Sequence, residues 1–256
     1  MNASASEPEL RKALVRSRIY KLMAKSFLYP THDVVESIFS PSQEDVLSEY
    51  AILGDQPTDT QESIKAFREI LSSWSSSQKH EELQHEYNRL FAHLGSAKCP
   101  PYETEYGYDN VFQKTEAMAD IAGFYNAFGL GVREENSERV DFISMELEFM
   151  SYLALKEAYA REHGEEKHLE ICTDAQRKFV QDHLGRWISI FTKILANSSE
   201  NTFYLQLGNL TGQFLESEFA YLGVTPSKIM APSKGTEEKP GEFSCDSCVS
   251  PPPVAS

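Results

Sequence analysis

The sequence is poor in positive charge, in cysteine and in long apolar runs, and each shortage removes a class of function. Its 256 residues carry 24 Lys and Arg against 39 Asp and Glu, a net charge of −15. Nucleic-acid binding draws on clustered cations that neutralise phosphates, so no nucleic-acid partner is expected. Four cysteines, Cys99, Cys172, Cys245 and Cys248, are too few and too scattered for a disulfide framework. No stretch approaches the roughly 18 uninterrupted apolar residues of a membrane span, so no stable membrane insertion is expected. The first ten residues lack a basic stretch followed by an apolar one, which predicts no secretory leader and a cytoplasmic location. Also absent are a Gly-x-Ser-x-Gly elbow, a Gly-rich phosphate loop and a His-Glu-x-x-His pair.

What is present is helical. Hydrophobic residues make up 41% and aromatics 11%, enough to bury a core and too much for a disordered chain. Val15, Ile19, Leu22 and Met23 recur at helical spacing up to Pro30. Ser40-Pro-Ser-Gln43 reads as a helix start with a capping box, and Thr58 with Gln61 repeats the signal. Ile64, Phe67, Leu71 and Trp74 mark one helix; Leu83, Tyr87, Leu90, Phe91 and Leu94 mark the next. Met118, Ile121, Tyr125 and Phe128 form another, closed by Gly129 and Gly131. Val140, Ile143, Leu147, Met150 and Ala154 line one face of a long helix. Residues from Glu166 to Asn197 read as a helical run bent near Gly185, and Phe203 to Leu215 as a last helix.

No period-2 strand is visible. The expected fold is all-α, a single helical-bundle domain of about nine helices over residues 1–225. A long central loop, Cys99-Pro-Pro-Tyr-Glu-Thr-Glu-Tyr106, interrupts it and is expected to be stiff, extended and on the surface. The last 31 residues hold six of the 12 prolines, so 226–256 is expected to be a flexible, Pro-rich tail.

Three constellations bear on chemistry. Glu82/His85 and Glu165/His168 have the Glu-x-x-His spacing of di-iron bundles, but with about 100° per residue His85 falls opposite the apolar stripe of its helix, on the solvent side. Cys245-Asp-Ser-Cys248 is a weak metal or redox candidate without a second ligand pair. Cys99 is reactive only if exposed. No catalytic residue, cofactor or metal is therefore assigned. Charge is uneven: residues 99–120 carry five acids and one Lys, and residues 134–170 carry 11 acids and four bases. If the two stretches meet, they form an acidic face that attracts a basic ligand.

Four segments in order are similar to one family. Glu86-Tyr-Asn-Arg-Leu-Phe91 resembles the Tyr-x-x-Leu-Phe helix of the TorD/DmsD-type redox-enzyme maturation chaperones. The 99–106 loop resembles their Pro-Tyr-Glu-Ser-x-Tyr loop. Glu138-Arg-Val-Asp-Phe142, running into Glu146-Leu-Glu-Phe-Met150, resembles their Glu-x-Pro-Asp-His segment, and Phe179 to Trp187 a late family helix. The resemblance spans about residues 10 to 222. Val140 stands where the family often has Pro and Phe142 where it often has His, so the resemblance carries over a groove of bulk and carboxylate rather than an imidazole.

The resemblance implies a cytoplasmic chaperone that binds the catalytic subunit of a molybdopterin oxidoreductase and its twin-arginine signal peptide until the cofactor is inserted. The alternatives are a helical metal- or cofactor-dependent enzyme and a general protein-binding adaptor. Long connections between helices are also compatible with a domain-swapped homodimer. The expected binding face combines Tyr102, Glu103, Glu105, Tyr106, Glu138, Asp141 and Glu146, with Phe142 as an apolar wall. On a helix, Asp141 falls almost opposite the Ile143–Ala154 stripe, free to meet a ligand or another segment. Glu146 sits at the stripe's edge, shielded and paired. Asp141→Asn is thus expected to weaken peptide binding by about tenfold or more with stability nearly unchanged.

Overall fold

A computed structural model describes residues 3–53, 56–73, 79–92, 97–131 and 138–229. These residues form an all-α domain of α1 (Ala3–Ser26), α2 (His32–Ile38), α3 (Pro41–Ile52), α4 (Thr58–Ser73) and α5 (Lys79–Phe91), then α6 (Val111–Ala127), α7 (Ile143–His163), α8 (Glu166–Phe179), α9 (Gly185–Ser198) and α10 (Thr202–Leu222). A short 3-10 turn, Glu103–Glu105, lies in the central loop, and a π-helical turn, Val180–Leu184, joins α8 to α9. No strand occurs among the described residues; one isolated antiparallel bridge pairs Tyr102 with Phe142. No helix among them is long and apolar enough to cross a membrane.

Helix α7 is the centre. It packs along α1 and α8, while α10 packs on α9 and α4, and α3 joins α1 to α4. The expected one-sided stripe on α7 is only part of its contact. Ile143, Leu147, Met150 and Ala154 are buried, but so are Glu146, Phe149, Ser151, Leu153 and Glu157 on other sides. A stripe through Glu148, Leu155 and Tyr159 stays exposed, and a helix buried around most of its circumference must find partners for the polar groups it buries. Glu157 finds them in a cluster around Arg16, whose side chain is fully buried. Arg16 gives Nε and Nη2 to Glu218, Nη1 to Glu157 at 2.9 Å and Nη2 to Gln176 at 2.7 Å. Gln176 Nε2, Arg161 and the Tyr221 hydroxyl also donate to Glu157. Every carboxylate oxygen in this cluster has a donor, and it ties α1, α7, α8 and α10 together.

The helix starts are close to the sequence reading, with local differences. Pro41 does open α3 behind Ser40, but no capping box forms: Ser40 Oγ donates to the Ser37 carbonyl and Gln43 Nε2 reaches the same acceptor. Thr58 is the first helical residue of α4 rather than its cap, and the Pro57 carbonyl accepts from Gln61 N. Helix α2, only seven residues long, has no counterpart among the expected elements; Thr31 caps it. Trp74, Leu94 and Glu134–Asn136 lie outside the described residues.

The bend near Gly185 is the π turn. A Cβ on Gly185 would come within 2.4 Å of the Val180 carbonyl oxygen and 2.5 Å of Pro226, so no larger residue fits there without a backbone shift. Pro226 is buried, which corrects the tail boundary. Ile229 N donates to the Arg186 carbonyl at 2.8 Å, and Gln181 exchanges two hydrogen bonds with Thr225. Ile229 also lies over Gly107, whose φ of +72° suits glycine. Residues 226–229 are therefore part of the packed body. The remaining tail, with Cys245 and Cys248, lies outside the described residues.

Candidate functional site

The central loop turns inward, not outward as the two prolines suggested. Pro100 and Pro101 have no N–H to leave unsatisfied, and their carbonyls are met: Tyr106 OH donates to Pro100 O at 2.8 Å, and Ile143 N to Pro101 O at 2.9 Å. Burial of this segment thus strands no backbone donor at the prolines. Cys99, Glu103, Thr104 and Tyr106 are fully buried. Cys99 Sγ points at the Phe191 carbonyl, and burial pushes its thiol well up, so it is not a nucleophile at neutral pH.

Asp141 precedes α7, whose N-cap is Phe142, so it lies in a turn beside the short bridge and not in a helix. It met another segment. Its carbonyl accepts from Glu103 N at 2.9 Å. Its carboxylate accepts from Thr104 N and Thr104 Oγ1, at 3.1 and 2.8 Å, and bidentately from Arg139, at 2.9 and 2.8 Å. Arg139 also reaches Thr104 Oγ1 and Glu105, and Lys114 takes the other Glu105 oxygen. With Asp141 fully buried, the expectation that its neutralisation leaves stability unchanged no longer holds.

The eight expected site residues divide into two layers. Glu103, Tyr106, Asp141, Phe142 and Glu146 are buried behind the face. Tyr102 and Glu105 are half-buried, and Glu138 is exposed. The Arg139 guanidinium lies 4.3 Å over the Tyr102 ring, and Phe142 packs against Tyr102 at 5.5 Å between centroids. Burial first, and then the Glu138 carboxylate, raise the Tyr102 hydroxyl. Tyr87 is raised by burial and then by Tyr102, Glu138 and Tyr29, so these three lie within its electrostatic reach. Tyr29 is 43% exposed and meets Tyr87 edge-on at 5.3 Å. The outer layer is thus a rim of three tyrosines with an exposed carboxylate, Glu138, held beside Tyr102.

The inner layer holds residues that the sequence reading missed. Glu146 is buried against Trp187, whose Nε1 donates to Oε2 at 3.3 Å. Glu103 Oε1 accepts from Tyr108 OH at 2.6 Å and faces His183 Nδ1 at 3.3 Å. His183 sits in the π turn, and its Nε2 faces Asp120 at 3.1 Å. Burial opposes its charge, but Glu103 and Asp120 raise its pKa above the ordinary value. Beyond it opens a polar cleft of about 900 Å³ lined by Tyr108, Asp120, His183 and Arg186. Thr104, Arg139, His183 and Trp187 all lay inside family-like segments without a role; His183 is 80 residues from Glu103 and Trp187 41 from Glu146, with no local signal linking them.

The two Glu-x-x-His pairs do not assemble into one site. His85 is exposed, as its direction on the helix implied. His168 pairs with Glu165 at 2.7 Å on the surface of α8. No group of three His, Cys, Asp or Glu is placed to hold a metal among the described residues.

Comparison with known proteins gives consistent matches. The model of a family described as the nitrate reductase delta subunit matches residues 54–193, a span that contains the loop, α6, α7 and the π turn. The chain is 30% identical over 153 residues to the chlorate reductase assembly chaperone protein of Ideonella dechloratans, covering 58% of this chain and 74% of that one. It is 26% identical over 171 residues to the chaperone protein TorD of Photobacterium profundum, covering 66% and 77%. Similarity to the perchlorate reductase assembly chaperone protein of Dechloromonas aromatica is 25% over 225 residues, covering 85% and 94%.

Proposed function

The chain belongs to the family of the nitrate reductase delta subunit and the TorD-type maturation chaperones, and from that premise we propose that it holds the catalytic subunit of a molybdopterin-dependent oxidoreductase, together with its twin-arginine signal peptide, in the cytoplasm until the cofactor is in place. It acts by binding and not by catalysis. The observation that carries this reading is the rim of Tyr29, Tyr87 and Tyr102 around exposed Glu138. A signal peptide offers arginines beside an apolar stretch. Aromatic faces take the apolar part and stack on guanidinium groups, and a carboxylate at the edge forms a charge-assisted bond. The seated loop behind the rim lowers the ordering cost of binding. The names of the relatives, assembly chaperones of chlorate and perchlorate reductases, support the same class of client.

Calorimetry with the client's twin-arginine peptide tests this. Glu138→Gln and Tyr29→Ala should each weaken binding by about tenfold, the size of one charge-assisted bond or one buried aromatic contact, and a Lys-Lys peptide should bind more weakly than Arg-Arg. Equal affinity of the parent and both variants for the natural peptide would move the binding face elsewhere.

A further inference from the structure

Glu103 and Glu146 are two buried carboxyl groups with one problem in common. Each is fully buried, and each keeps one oxygen, Glu103 Oε2 and Glu146 Oε1, without a hydrogen-bond partner. A carboxylate is an acceptor only, so two of them side by side cannot satisfy one another. Their surroundings do not supply the missing positive charge. Three acids are buried here, Glu103, Asp141 and Glu146. Two basic side chains face them: Arg139, which is spent on Asp141, Thr104 and Glu105, and His183, which stands between Glu103 and Asp120. Glu105 and Lys114 pair at the edge, and Arg186 is met by the Tyr108 hydroxyl. Tyr125 from α6 donates to the Val140 carbonyl, and Trp187 from α9 donates to Glu146. Even with His183 protonated, three negative charges against two positive leave one charge over.

We propose that one proton is shared between Glu103 and Glu146 and that it latches the central loop onto α7. The proton turns one carboxyl into a donor, so that both orphan oxygens are satisfied at once and the charge count closes. Glu103 lies within hydrogen-bonding reach of Glu146, and burial, then the charges of Glu103 and Asp141, hold Glu146 well above the ordinary carboxylate range. Exchange with solvent has a ready route: Asp120, 65% exposed, to His183 and on to Glu103. Loss of the proton leaves two buried anions in contact, a repulsion relieved when Glu103 and its turn move away. The latch therefore holds at neutral and mildly acid pH and releases as pH rises.

The test needs no client and so is independent of the function proposed above. Near neutral pH the infrared spectrum of the parent should show the carbonyl band of a protonated carboxylic acid. That band should vanish as pH is raised, in step with a change in Trp187 fluorescence read in a Trp74→Phe background. Amides of residues 103–106 should lose exchange protection over the same range, after correction for the intrinsic rate. Glu146→Gln should lack both the band and the fluorescence transition; Glu146→Met serves as a second neutral side chain if the first does not fold. A parent with no protonated-acid band near neutral pH overturns the proposal. So does a band that persists in the folded Glu146 variant.

Discussion

Two buried charge clusters hold α7, and they are completed in different ways. Around Arg16, two carboxylates meet a guanidinium, a glutamine, a second arginine and a tyrosine, and every oxygen has a donor. Around Glu103 and Glu146, each carboxylate retains an oxygen without a partner, and the nearest imidazole leads out to an exposed aspartate. The first cluster joins long helices that have no reason to separate. The second joins a loop to the bundle directly behind the rim of Tyr102 and Glu138. Complete pairing marks a structural tie, whereas incomplete pairing at a loop seam marks a place where a change of state costs little.

The difference can be broken most violently at Arg16. Arg16→Met strands Glu157 and Glu218 in the core and should cost about 3–5 kcal/mol, read as a fall in the urea midpoint. A loss below about 1 kcal/mol would mean that water reaches the cluster and that it is no tie at all. Asp141→Asn comes next. It removes the charge that Arg139 and Thr104 share and should cost about 1.5–3 kcal/mol, with faster proteolysis within 99–106 ahead of global unfolding. Unchanged stability and protection would show that the bridge does not depend on this carboxylate.

The two clusters should also answer pH in opposite directions. Burial alone would raise Glu157, but Arg16, Gln176 and Arg161 hold it below 4.5. Its contribution is present above the ordinary carboxylate value and is lost as pH falls through the folded one. Glu146 and His183 are both raised, so their contributions are fully present below 4.5 and 6.5 respectively and are lost as pH rises through their folded values. Urea unfolding followed across pH should show an acid limb that flattens in Arg16→Met and an alkaline limb that flattens in Glu146→Gln. Two limbs that respond alike to both variants would dissolve the distinction. The smallest effect belongs to the tail. Ending the chain at Thr225 removes Pro226 from Gly185 and Ile229 from Gly107 and should cost about 1–2 kcal/mol of burial, while ending it at Ile229 should cost almost nothing. Equal melting temperatures for the two truncations would show that residues 226–229 only rest on the surface.

Much of the architecture was legible in the sequence, because long helices announce themselves by period. Ile64, Phe67 and Leu71, or Ile143, Leu147 and Met150, are buried as their spacing required. Helix α2 was not legible, since seven residues are too few to show a period. The meeting of the central loop with the start of α7 was legible, but not the depth of its residues: Tyr102 and Glu105 lie half-buried in the loop, and Asp141 was placed on a helix that starts only after Phe142. The prolines of the loop signalled rigidity correctly and exposure incorrectly, because a residue without an N–H is as easily buried as exposed once its carbonyl is met. His183 and Trp187 could not be tied to Glu103 and Glu146 from sequence, because only tertiary packing brings those helices together.

The π turn between α8 and α9 has a consequence for how this chain tolerates length changes. Counted at about 100° per residue, the buried positions Cys172, Ala175, Gln176 and Phe179 of α8 and Trp187, Ile188, Phe191 and Leu195 of α9 lie on stripes roughly a third of a turn apart. A π turn winds more slowly than an α-helix, by about one residue per turn, and so absorbs most of that offset. The turn is a phase correction: it lets one nearly continuous rod present both stripes to the same core. Deleting Gln181 would give a more regular helix whose second half faces the wrong neighbours, with Trp187 rotated away from Glu146. Loss of the near-ultraviolet signal of Trp187 with helix content retained would reveal it, and an unchanged signal would show that the rod can re-phase elsewhere. Here a geometric irregularity is what keeps the packing in frame.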